Sequence, residues 1–199
     1  GVSLDDIRVV AQAALEAGAI LVVDEAYAEF RRSGTPSACE LLPEFANLVV
    51  SRTMSKAFAL AGARVGYAVA ADPAVVEILK VVRLPYHLSA VTQAVALTAL
   101  AHADVLQAQV DLLRSERDAL AVWLIDQGFT VAASDANFLL FGLFADRDAV
   151  WRALLEEGVL IRQTGPAQWL RVTVGTPGEN DMFRRALVKA VSAGAATSA

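Results

Sequence analysis

Cysteine is nearly absent from this chain: Cys39 stands alone among 199 residues. An internal disulfide is therefore excluded, and a cytoplasmic setting is expected, with Cys39 serving as a small buried hydrophobe. Histidine is almost as scarce. His87 and His102 have no cysteine cluster near them, so no metal site is expected. Long apolar runs are missing too. The apolar fraction is 56% and the mean hydropathy +0.47, yet no stretch reaches the roughly 18–20 residues that cross a bilayer. The opening GVSLDDIRVV has no basic stretch ahead of an apolar one and does not read as a secretory leader. There is no excess of positive charge either. A net charge of −5 argues against nucleic acid or an anionic membrane as the main partner.

What is present is an α/β pattern. Leu4–Ala17 carries helical apolar spacing behind Ser3 as N-cap, with Asp5 and Asp6 in the first turn and Gly18 as the stop. A fold that opens in this way reads as part of a longer chain. Ala19–Val23, Asn47–Ser51 and Val65–Ala70 read as strands of a largely parallel sheet, the continuous apolar runs implying cover on both faces. Asp72-Pro73 starts a helix, and helices follow over Ser89–His102 and Asp104–Gln127. Strands are expected at Phe129–Ala132, Phe138–Gly142, Val159–Ile161 and Trp169–Val174, with helices at Arg147–Glu157 and Glu179–Ser192. The tail Ala193–Ala199 reads as frayed. We place a partial large domain at residues 1–103, and a long linker helix with a small α+β domain at 104–199.

Ligands of parallel α/β sheets sit at the carboxyl ends of the strands. Two polar clusters follow strands here: DEAY (Asp24–Tyr27) and SRTMSK (Ser51–Lys56). If both strands share one sheet, Asp24, Tyr27 and Lys56 converge. A carboxylate, a phenol, a lysine and an anion cradle suit pyridoxal 5'-phosphate. Asp24 would pair with the protonated pyridine nitrogen, Tyr27 would bond the ring oxygen, and Lys56, held in a pocket, would form the Schiff base and move the α-proton. Thr53, Ser55 and Arg64 would hold the phosphate. Each residue alone has an ordinary structural explanation; their order, each cluster just behind a strand, is what points to chemistry.

DEAYAEF (Asp24–Phe30) and RTMSKAFALAGARVGY (Arg52–Tyr67) resemble fold-type I aminotransferases, and within them the histidinol-phosphate aminotransferase family. RLPYHLSAVTQ, SDANFLLF, GVLIR and WLRVTVGTPGEND resemble that family's later segments in order and spacing. The resemblance implies a three-layer αβα large domain, completed by a preceding segment that carries further cofactor contacts. It implies transamination between histidinol phosphate and 2-oxoglutarate in histidine biosynthesis, with a small-molecule amino donor and a 2-oxo acid as partners and a homodimer as the assembly. Lys56 is then the catalytic lysine and Asp24, Tyr27, Thr53, Ser55 and Arg64 the cofactor residues. Arg171 would receive the α-carboxylate, Arg162 the distal phosphate or a side-chain carboxylate, and Asn137 would be a lesser substrate contact. Tyr86 and His87 fall where the family's dimer contact approaches the neighbouring site. The same residues fit an aromatic-amino-acid aminotransferase or an amino-acid-phosphate decarboxylase, and a non-catalytic dimerisation remnant is the reading from another class.

Overall fold

A computed structural model describes residues 1–192; the expected fraying of Ala193–Ala199 lies outside the described residues. The chain divides into two compact units, Gly1–Ala108 and the part from Gln109 onward.

In the first unit, helix α1 (Leu4–Glu16) begins where the Ser3 hydroxyl accepts the Asp6 amide, and it ends ahead of Gly18, whose φ of 66° suits glycine. Strands β1 (Leu21–Asp24), β2 (Leu48–Thr53) and β3 (Gly66–Ala70) form one sheet in the order β1-β2-β3. β1 and β2 run parallel, with Asp24 opposite Ser51, whereas β3 is antiparallel to β2. The reversal follows from the connection: a turn segment with one 3-10 turn (Ala61–Ala63), and no crossover helix, joins β2 to β3. Helices α2 (Pro73–Val82) and α3 (Ala90–Ala101) start at Asp72 and Ser89, each accepting a backbone amide.

Ala11, Ala38, Leu41, Phe45, Leu48 and Val50 form the core of this unit, with Leu21, Val23 and Cys39 packed beside it. Cover on both faces, as the apolar runs implied, is not what β1 shows. Leu21 and Val23 face this core, while Val22 on the other side is 59% exposed. Alternation along the strand puts neighbouring residues on opposite faces, and α1 with the 3-10 turn Ala38–Leu41 covers only one of them.

Gly66 opens β3 opposite Thr53 of β2. A Cβ there would lie 2.6 Å from the Arg52 carbonyl oxygen. Gly66→Ala is therefore expected to cost about 1–3 kcal/mol by overpacking, measured by urea unfolding. Gly62→Ala, with nothing within 4 Å of the added carbon, should leave the midpoint nearly unchanged.

Helix α4 (Ala103–Asp126) runs into the second unit. There β4 (Thr130–Val131), β5 (Phe138–Gly142) and β6 (Trp169–Thr173) form an antiparallel sheet in chain order, with helices α5 (Arg147–Glu156) and α6 (Pro177–Ser192). Phe141, fully buried, meets the rings of Phe129, Phe144 and Phe183 edge-on at centroid distances of 5.9, 5.5 and 5.7 Å.

Two expectations change here. Val159–Ile161 is not a strand: the Ile161 carbonyl accepts the Trp151 indole N–H at 2.8 Å, so only Arg162 bridges to Arg171. Helix α6 begins at Pro177 rather than Glu179. Thr176 and Glu179 make a reciprocal cap, the Glu179 carboxylate accepting the Thr176 amide at 2.7 Å and the Thr176 hydroxyl accepting the Glu179 amide at 3.4 Å. The T-x-x-E spacing is a signal that could have located this start.

Candidate active site

The carboxyl ends of β1 and β2 carry the first group of residues. Parallel pairing sets Asp24 beside Ser51, whose hydroxyl donates to Asp24 Oδ1 at 3.3 Å; the Ala26 amide donates to the same oxygen at 3.0 Å. Both contacts fall on Oδ1, which leaves Oδ2 to a ligand. Tyr27 caps the 3-10 turn Ala28–Phe30, and Lys56 Nζ stands 5.5 Å from the centroid of its ring. Of the three residues expected to converge, Lys56 and Tyr27 are thus brought together, while Asp24 meets Ser51 and the Ala26 amide. Lys56 is exposed rather than enclosed in a pocket, its turn neighbours Met54 and Ala57 being the residues that face inward.

That turn is tightly closed. Met54 donates to the Val65 carbonyl, Leu60 to the Met54 carbonyl, and Ala59 to the Lys56 carbonyl. Ala59 and Arg64 hold φ values of 55° and 53°, left-handed positions that side chains other than glycine's seldom take. Such strain persists only where surrounding contacts over-determine it, and it gathers at ligand-binding segments. The Thr53 hydroxyl accepts the Ser55 amide at 3.1 Å, so those two residues come together. Arg64 folds back instead, donating to the Ala61 carbonyl at 3.0 Å.

Behind Asp24 lies a charge cluster that sequence reasoning missed. Glu25 Oε1 accepts the Ala38 amide at 2.7 Å and Arg31 at 3.3 Å. Its Oε2 accepts the Ser37 hydroxyl at 2.8 Å and Arg52 Nε and Nη2 at 3.0 and 2.6 Å. The available signal was positional. With Asp24 opposite Ser51, the next residues along the two strands are Glu25 and Arg52. Burial pushes the Glu25 carboxyl upward, but the Ala38 amide, Ser37, Arg52 and Arg31 together outweigh it and hold the group below its ordinary value. A carboxylate held low in the folded state adds stability above its unfolded value, and that stability is lost as pH falls through the folded one. Thermal midpoints should therefore drop below pH 4.5. Glu25→Gln should show a shallower acid limb over the same range; superimposable slopes would contradict this assignment.

The second unit holds the remaining predicted residues. Arg162 and Arg171 exchange backbone hydrogen bonds at 3.0 and 2.9 Å, and both line a concavity of about 910 Å³. The Arg171 guanidinium lies 4.7 Å from the Phe138 ring centroid, and its Nε is buried with no hydrogen-bond partner among the described residues. Such an unpaired donor is costly unless a ligand meets it. The Asn137 carbonyl accepts the Val174 amide at 2.9 Å, so Asn137 orders the backbone beside β6.

Residues 2–187 match the sequence profile of aminotransferase class I and II, and the chain belongs to that family. Among curated relatives, histidinol-phosphate aminotransferase from Thermobifida fusca is 65% identical over 89% of this chain and 48% of its own length. Histidinol-phosphate aminotransferase 3 from Burkholderia lata is 56% identical over 93% of this chain and 49% of its own. The chain thus spans about half the length of the curated relatives it matches. Among solved structures, the Sinorhizobium meliloti histidinol-phosphate aminotransferase in complex with pyridoxal-5'-phosphate aligns with a TM-score of 0.78 at 28% identity, covering 88% of this chain and 49% of that one.

Proposed function

We propose that this chain belongs to an enzyme transferring the amino group of histidinol phosphate to 2-oxoglutarate with pyridoxal phosphate, in histidine biosynthesis. The observation that carries the reading is the approach of Lys56 Nζ to the Tyr27 ring, on the segments that follow the adjacent strands β1 and β2. The donor set fits the cofactor: a carboxylate with one oxygen uncommitted, a phenol, an amine and a turn of hydroxyls. High identity to relatives named histidinol-phosphate aminotransferase supports the choice of substrate.

When bound, pyridoxal phosphate supplies the electron sink that stabilises negative charge at the substrate α-carbon. Asp24 would hold the pyridine nitrogen through Oδ2 and keep its proton there, Ser51 and the Ala26 amide fixing the carboxylate through Oδ1. Tyr27 holds the ring oxygen. Lys56 Nζ would hold the cofactor and, once displaced by the substrate amine, would be the free base that takes the α-proton. Thr53, Ser55 and Arg64 bind the phosphate, Arg64 after leaving the Ala61 carbonyl. Arg171 receives the α-carboxylate at the concavity it lines. Arg162 takes the distal phosphate or glutamate's side-chain carboxylate, and Asn137 steadies the strand beside them.

Residues 1–103 serve as part of the cofactor-binding domain and 104–199 as linker helix and small domain. Single-cysteine composition supports a cytoplasmic enzyme, and among the described residues no helix is long and apolar enough to cross a membrane. A homodimer is supported by the fully exposed Tyr86 and the exposed Val81 and Val82 near it. Single-turnover rates on histidinol phosphate and on phenylalanine test the reading. Faster turnover of histidinol phosphate is expected, and a strong preference for phenylalanine would overturn the substrate assignment.

A further inference from the structure

We propose that Glu25 and Arg52 form a brace, on the face of the strands opposite Asp24, that sets the spacing between the Asp24 carboxylate and the turn carrying Lys56. The proposal rests on reading Asp24 and Lys56 as cofactor residues, and it makes Glu25 and Arg52 positioning residues rather than catalytic ones. Alternation along paired strands puts Asp24 and Ser51 on one face and the next pair, Glu25 and Arg52, on the other. Each brace residue is directly bonded in sequence to a site residue, Glu25 to Asp24 and Arg52 to Thr53.

The connections reach three segments. Arg52 places Nε and Nη2 on Glu25 Oε2 and also donates Nη2 to the Ser37 hydroxyl at 2.9 Å. Glu25 draws in the Ala38 amide, tying the strand ends to the 3-10 turn that begins there. The Glu25 side chain is 9% exposed and that of Arg52 20%. A second carboxylate, Glu29, has Oε1 3.7 Å from Arg52 Nη1 and an Oε2 buried with no partner among the described residues.

Glu25 and Glu29 facing the shielded Arg52 guanidinium, with Arg31 on the other oxygen of Glu25, are a poor device for stability alone, since desolvation offsets much of the attraction. What such a cluster does supply is fixed geometry. A planar fork meeting a carboxylate allows little displacement. Here it would fix the Cα of Arg52, and with it the start of the turn through Thr53, Ser55 and Lys56. A shift of about 1 Å between reacting groups costs on the order of a hundredfold, so the brace would act on the site without touching the ligand.

Arg52→Lys keeps the charge but removes the fork, and Glu25→Gln removes the charge but keeps the shape. Amide hydrogen exchange on the protein without cofactor is the first readout. Both variants should speed exchange at Ala26 and Ser55, whose amides bond to Asp24 and Thr53, by about tenfold or more, while the β2–β3 ladder changes little. A uniform increase along that ladder, or no local increase, would overturn the brace. Should Glu25→Gln fail to fold, Arg52→Lys carries the test. The second readout is the dissociation constant for pyridoxal phosphate, expected to rise about tenfold in Arg52→Lys; an unchanged value overturns the proposal. If the unaltered protein takes no cofactor at Lys56, the reading of the site has failed, and the exchange data alone decide for or against the brace.

Discussion

Lys56→Ala protein, mixed with pyridoxal phosphate and borohydride, is expected to carry no cofactor on its tryptic peptides, while the unaltered protein carries it at Lys56. Transamination should fall by on the order of 10⁴-fold, the upper range for losing a positioned acid–base group. A lesser explanation is that the Lys56 charge merely steadies the Tyr27 ring, 5.5 Å away. Lys56→Arg separates the two. Guanidinium retains the charge and stacks well on an aromatic face, but it does not give up its proton to become a nucleophile. If Arg restores activity or labelling, Lys56 is a structural cation. Because Lys56 is exposed, neither replacement should shift the melting midpoint appreciably, so the loss cannot be put down to unfolding.

The second large effect concerns stability. Phe141→Ala removes a ring with no exposed surface from the centre of an aromatic cluster. Lost transfer energy and the cavity left behind together cost about 3–5 kcal/mol. Three edge contacts disappear at once, because Phe129, Phe144 and Phe183 each lean on that ring. Phe141→Leu keeps most of the volume and should cost clearly less. Equilibrium urea unfolding measures both. A loss below about 1 kcal/mol for alanine would mean that the second unit does not hold its core as described.

Legibility in the sequence followed the range of the forces involved. Ser3 and Asp72-Pro73 announced α1 and α2 because a cap is a contact between residues two or three apart. Phe138–Gly142 was bounded correctly as β5, where the buried run ends at a glycine. Val159–Ile161 misled, since its composition suits a strand while its last carbonyl belongs to an indole from α5. The polar clusters behind β1 and β2 were also readable, as every residue in them is near a strand end in the chain. Arg64 was assigned to an anion by type alone, whereas its present contact with Ala61 depends on a left-handed backbone that no local pattern signals.

By itself the sequence determined the α/β class, the starts of the capped helices α1 and α2, and the family to which the chain belongs. Tertiary structure alone decided the antiparallel course of β3, the need for glycine at Gly66, and the fastening of Glu25 to Arg52. The reason is common to all three. Each depends on backbone or side-chain atoms from separate segments meeting within hydrogen-bond or van der Waals reach, and register between strands sets those meetings, not the identity of any one residue.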